Sequence, residues 1–149
     1  MRNMRRRATL SLTTPDVVTR PETTPAAKTI LICEDDSNLR TLIRLTLGDR
    51  FRIHEAADGN EALALLGPTE PDLIVLDLML PGRSGLDLLG EIRAADGHRQ
   101  TPVVVISAWA HSDEAAVAAG ADRFVAKPFD PDELEATVDD LLENDGDRR

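Results

Sequence analysis

PDLIVLDLMLPGRSGLDLL, residues 71–89, decides the fold. Its Leu73-Ile74-Val75-Leu76 run has no polar alternation, which is the pattern of a strand buried on both faces in a parallel sheet. The run stops abruptly at Asp77, and Ser84 then stands where a helix N-cap would, at the head of a segment of helical period over residues 84–95. The same unit recurs on both sides. Short apolar runs fall at 29–33, 51–53, 73–76, 103–106 and 124–126, and helical segments at 37–47, 60–66, 84–95, 112–119 and 132–142. In the first of these helices Leu39, Leu42, Ile43 and Thr46 are expected on one face, and Ser37 and Ser112 are expected as further N-caps. Five strands alternating with five helices imply βαβ crossovers, hence an α/β three-layer sandwich around a five-stranded parallel sheet.

Length and charge bound the rest. At 149 residues there is room for one domain and a short appendage. Aromatics are confined to Phe51, Trp109, Phe124 and Phe129, so the core must be aliphatic. Cys33 is alone, which excludes a disulfide framework and a cysteine metal site and suits a reducing, cytoplasmic setting. No apolar run approaches the roughly 18–20 residues of a membrane helix, and no membrane association is expected. Residues 1–28 carry six basic residues against two acids, whereas residues 29–149 carry 11 against 25. The first segment, with Arg5, Arg6 and Arg7 and prolines among threonines, is expected to be a disordered basic tail. The acidic body, residues 29–143, would be repelled by phosphates, so no nucleic-acid partner is expected for it. Residues 144–149 read as a short charged tail.

Four of the apolar runs end in polar residues: Glu34-Asp35-Asp36, Asp77, Ser107 and Lys127-Pro128. Ligands of open parallel sheets sit outside the carboxyl ends of the strands, so these side chains should converge in one crevice. Glu34, Asp35 and Asp77 together hold three negative charges, and two such charges about 4 Å apart repel by roughly 4 kcal/mol at an effective dielectric near 20. A divalent cation and the ammonium of Lys127 would neutralise them, and an all-oxygen donor set suits Mg²⁺. Lys127 is one of two lysines against 15 arginines, which points to a need for a compact ammonium there.

The strings ILICEDDSNLR (30–40), PDLIVLDLMLPGRSGLDLL (71–89), VVVISAWA (103–110) and GADRFVAKPF (120–129) resemble, in order and spacing, the response-regulator receiver domain of two-component signalling. The resemblance implies a flavodoxin-like (βα)5 fold with strand order 2-1-3-4-5. It implies that Asp77 is the phosphoacceptor, taking a phosphoryl group from the phosphohistidine of a sensor histidine kinase or phosphotransfer protein. Asp35 and Asp77 would bind Mg²⁺ directly, Glu34 through water, and the backbone carbonyl of Met79 would complete the protein's share. Ser107 and Lys127 would engage the phosphoryl group, with Ser107 and Phe124 as switch residues, and the Lys127-Pro128 peptide would be cis. Beyond accepting phosphate from small donors and losing it again, no enzymatic activity is implied.

A stand-alone receiver is the expected type, because only Glu-Asn-Asp-Gly-Asp-Arg-Arg follows Leu142; output would be a protein contact, with a homodimer possible and the downstream target unknown. The segment between Ser107 and Phe124 is about two residues shorter than the family pattern, which puts the usual output face in question. An aspartyl-phosphate phosphatase would want a second acid where Met79 stands. A phosphorylation-independent scaffold would be expected to lack Asp77 or Lys127. An FMN-binding flavodoxin would need a Gly/Ser/Thr-rich phosphate loop after the first strand. His54, His98 and His111 have no ligand spacing and are expected at the surface.

Overall fold

The computed structural model describes residues 27–109 and 112–144. The expectations placed on residues 1–26 and 145–149, and on His111, lie outside the described residues. Five parallel strands, β1 (Thr29–Cys33), β2 (Arg52–Ala56), β3 (Leu73–Asp77), β4 (Val103–Ser107) and β5 (Arg123–Ala126), form one sheet in the order β2-β1-β3-β4-β5. Five helices alternate with them: α1 (Ser37–Leu47), α2 (Gly59–Thr69), α3 (Gly85–Ala94), α4 (Asp113–Ala118) and α5 (Pro131–Asn144). This is the flavodoxin-like three-layer sandwich.

Side-chain alternation along the central strands builds two cores. Leu31, Ile74, Leu76, Val103 and Val105 face one side and pack with Ala62 and Leu66 of α2, Leu88, Leu89 and Ile92 of α3, and Ala116 of α4. Ile30, Ile32, Leu73, Val75, Val104 and Ile106 face the other side, where they meet Ile43 and Leu47 of α1 and Leu134, Val138 and Leu141 of α5. Both faces are covered, so β1, β3 and β4 are buried along their whole length and their aliphatic continuity follows. Each fully buried Leu or Ile contributes about 1.5–3 kcal/mol.

Several local expectations need correction. The N-cap of α1 is Asp36, not Ser37: its carboxylate accepts from the amides of Asn38 and Leu39, satisfying two otherwise orphaned donors. Ser84 does cap α3, accepting from the Asp87 amide. Ser112 precedes α4 but makes no cap bond, because its hydroxyl donates back to the Trp109 carbonyl. Leu42 faces solvent, and Leu47 takes its place on the buried face of α1 beside Ile43. His98 is buried, with Nδ1 3.0 Å from Thr101 Oγ1.

One glycine fixes the loop below the site. Gly85 opens α3 directly against the backbone of Leu78, and a Cβ there would stand 2.3 Å from Leu78 Cα. The Gly85 amide donates to the Leu78 carbonyl. The chain leaving Asp77 is thereby held against the start of the next helix.

Candidate functional site

The crevice forms where the strands end. Parallel pairing brings Cys33 beside Leu76, Asp77 beside Ile106, and Ser107 beside Ala126, so the residues that follow or close these strands share one rim. Glu34, Asp35, Asp77, Ser107 and Lys127 are all at this rim. Glu34 and Asp77 are 1% and 2% exposed, and Asp35 is open to solvent. Carboxylate oxygens of Glu34, Asp35 and Asp77 lie within 4.8 Å of one another.

Lys127 organises these charges. Its ammonium donates to Glu34 Oε1 and to Asp77 Oδ2, each at 2.8 Å. The second oxygen of each acid is held by the backbone: Glu34 Oε2 accepts from the Asp36 amide and Asp77 Oδ1 from the Met79 amide. Burial pushes the Glu34 carboxyl up to about 7, the opposing hydrogen bonds from Lys127 and the Asp36 amide notwithstanding. Burial alone would lower the Lys127 pKa, yet its hydrogen bonds to Asp77 and Glu34 hold it above its ordinary value. The lysine stays charged and bridges two buried acids.

The opposite side of the crevice is set by β4 and β5. The Lys127 amide donates to the Ser107 carbonyl, and the Lys127-Pro128 peptide is cis. Ser107 Oγ accepts from the Trp109 amide. Met79 and Trp109, two positions after Asp77 and Ser107, are 61% and 52% exposed and stand beside the mouth. Phe124 is half-buried two residues before Ala126, pairs with Val105 and packs on the core under α3 and α4.

The sequence reading missed Arg40. Its guanidinium donates to the Glu34 carbonyl at 2.6 Å and to Glu55, which Arg44 also engages, so α1 grips the loop that carries the acids. Recognising this required the strand register, which sets Glu55 beside Ile32. At the far end of the sheet Arg93 ties two loops together, the α3–β4 loop through the carbonyls of His98 and Thr101 and the α4–β5 loop through the Gly120 carbonyl and Asp122.

The donor set fits a hard divalent cation: three carboxylates on strand ends, with no nitrogen or sulfur ligand among them. One carboxylate, Asp35, is exposed, so the cluster is open to solvent on one side.

A family model for the response regulator receiver domain matches residues 30–139. The DNA-binding response regulator MtrA of Mycobacterium tuberculosis is 37% identical over 112 residues, covering 73% of this chain and 48% of that protein. The two-component response regulator PhoP of Pseudomonas aeruginosa is 39% identical over 117 residues, covering 76% and 51%. The chain thus spans about half the length of the curated relatives it matches. Among solved structures, a response regulator from Chloroflexus aurantiacus superposes with a TM-score of 0.75 at 30% identity, covering 79% of this chain and 99% of that one. A CheY-like receiver domain protein from Methanospirillum hungatei reaches 0.77 at 23% identity, covering 83% and 100%, a likeness of fold. No helix among the described residues is long and apolar enough to cross a membrane.

Proposed function

This chain belongs to the response regulator receiver domain family of two-component systems, and we propose that within it Asp77 is the phosphoacceptor, supplied by the phosphohistidine of a sensor kinase or phosphotransfer protein. A carboxylate oxygen of Asp77 attacks phosphorus, the new P–O bond forms as the P–N bond breaks, and the imidazole leaves with the electron pair. The observation that carries this reading is the Lys127 ammonium bridging Asp77 and Glu34 at 2.8 Å each beside the exposed Asp35.

Asp35 and Asp77 would hold Mg²⁺ directly, with Glu34 through water and the Met79 carbonyl completing the set; when bound, the ion supplies charge neutralisation for the transferring phosphoryl. Lys127 provides a preorganised ammonium that exchanges its contact with Asp77 Oδ2 for a phosphoryl oxygen. The Met79 amide holds Asp77 Oδ1 and orients the nucleophile. Phosphorylation takes the side chain from −1 to about −2, and Ser107 turns its hydroxyl from the Trp109 amide toward the added group. β5 is tied to Ser107 by the Lys127 amide, so the shift is passed to Phe124. Turnover is limited to acceptance from small donors and self-dephosphorylation. The output is a contact with another protein; the DNA binding named for MtrA belongs to that relative, and the acidic body here favours protein over nucleic acid.

Incubation with Mg²⁺ and acetyl phosphate followed by intact-mass measurement tests the reading. Wild type should gain one phosphoryl group and Asp77→Asn none. Equal labelling of both proteins, or none of either, overturns the assignment.

A further inference from the structure

Of the three clustered acids, Asp35 is held least. Glu34 and Asp77 each accept from the Lys127 ammonium and from a backbone amide. Among the described residues no group donates to the exposed Asp35 carboxylate. Its place beside the other two therefore depends on its backbone, and Arg40 ties that backbone on both sides. Arg40 Nη1 donates at 2.6 Å to the Glu34 carbonyl, which belongs to the peptide joining Glu34 to Asp35. The Arg40 amide donates at 2.9 Å to the carbonyl of Asp36, the next residue along. The guanidinium is itself fixed: Nε donates at 2.9 Å to Glu55 Oε1, and the side chain is 18% exposed. Glu55 stands in β2 opposite Ile32, and Arg44 engages its other oxygen. The planar fork thus forms a rigid strut from β2 to the acidic loop.

We propose that Arg40 is a positioning residue for divalent-cation binding: by fixing the Glu34–Asp35 peptide plane, it presents the Asp35 carboxylate beside Asp77 before an ion arrives. This rests on the reading that the three acids hold Mg²⁺. Removing a group that orients metal ligands costs roughly 10–100-fold in affinity, and for a strut acting through the backbone we expect the lower end, about tenfold. The sign separates this role from a purely electrostatic one. Arg40 is a cation beside an acidic cluster, so if its charge were all that mattered, neutralising it would tighten Mg²⁺ binding. Loss of positioning loosens it.

The test follows the amide chemical shifts of residues 34–36 and 77–79 during titration of the full chain with MgCl₂. Arg40→Gln should raise the half-saturating concentration about tenfold. Arg40→Lys keeps the charge but not the planar fork, and should fall between Arg40→Gln and wild type. Arg44→Gln removes an equal charge from the same helix and the same Glu55, yet leaves the Glu34 carbonyl bonded. It should stay within about twofold of wild type, since an exposed charge is screened. In chelator, hydrogen exchange at the Glu34 and Asp36 amides should quicken in Arg40→Gln, with β3 and β4 unchanged. Tighter or unaltered Mg²⁺ binding in Arg40→Gln overturns the proposal. So does equal loosening in Arg44→Gln, which would trace the effect to Glu55, or exchange quickened evenly across the sheet, which would make Arg40 a prop for the fold as a whole. If wild type itself shows no shifts at residues 34–36, the metal reading fails and the proposal with it; if wild type binds and Arg40→Gln binds equally well, the proposal fails alone.

Discussion

In metal-free protein, stability should fall as pH rises from about 5 to about 7, and Glu34→Gln should abolish that fall. Glu34 is 1% exposed, and burial holds its carboxyl proton until about 7, against an ordinary 4.5. Between these values the folded chain keeps a proton that the unfolded chain has released, so each rise in pH favours unfolding. At about 1.4 kcal/mol per pH unit the gap amounts to about 3 kcal/mol, reached above pH 7 and absent below pH 4.5. This is an upper value because the Lys127 ammonium, 2.8 Å from Glu34 Oε1, favours the charged carboxylate and offsets part of the burial. Lys127, with its raised pKa, stays charged across the window and does not add to the slope. Urea denaturation in chelator at pH 5, 6, 7 and 8 reads it directly. Stability rising over this range, or a fall of equal size in Glu34→Gln, would refute the argument that burial dominates Lys127 at this carboxylate.

Added Mg²⁺ should stabilise the protein more at pH 8 than at pH 5, since a cation bound at the three acids competes with the Glu34 proton; equal stabilisation at both pH values would disconnect the ion from Glu34. Lys127→Arg should keep the fold yet sharply reduce labelling by acetyl phosphate, because a planar guanidinium cannot sit as a compact charge 2.8 Å from both acids; labelling at the wild-type rate would remove Lys127 from the reaction. Gly85→Ala should cost about 1–3 kcal/mol or more in chemical denaturation, from a Cβ forced against the Leu78 backbone, and a neutral outcome would show that the loop can yield. Met79→Asn with Trp109→Glu should speed loss of the phosphoryl group, since the present side chains flank the mouth without a group to orient water; unchanged decay by phosphate release would make Trp109 a partner contact instead.

What could be read in the sequence was whatever burial imposes on composition. β1, β3 and β4 are covered on both faces, and their uninterrupted aliphatic runs announced them within a residue. β2 is an edge strand, so His54 and Glu55 interrupt its pattern and its span of Arg52–Ala56 outran the expected 51–53. α2 extends through Gly67 and Pro68 to Thr69, past the expected end at 66, because backbone and side-chain bonds to Leu66 and Leu65 carry the last turn. Convergence of the acids, Ser107 and Lys127 followed from topology alone, since every parallel strand delivers its end to the same rim. The bridge Lys127 makes, the grip of Arg40 and the burial of His98 depend on pairs distant in sequence. A single sequence offers no local signal for such pairs.

Cys33 lies in β1 with neighbouring strands on either side, wholly excluded from water, and burial above all raises the pKa of its thiol. A thiol so placed is inert while the sheet is closed and reacts with a disulfide reagent only during excursions in which the strand parts from its neighbours. As the chain's one cysteine, it makes the rate of modification a clock for that opening, readable without any introduced label. Its neighbours in sequence are Glu34 and Asp35, so anything that clasps those carboxylates should slow the clock. Occupancy at the mouth of the crevice can therefore be timed from within the core.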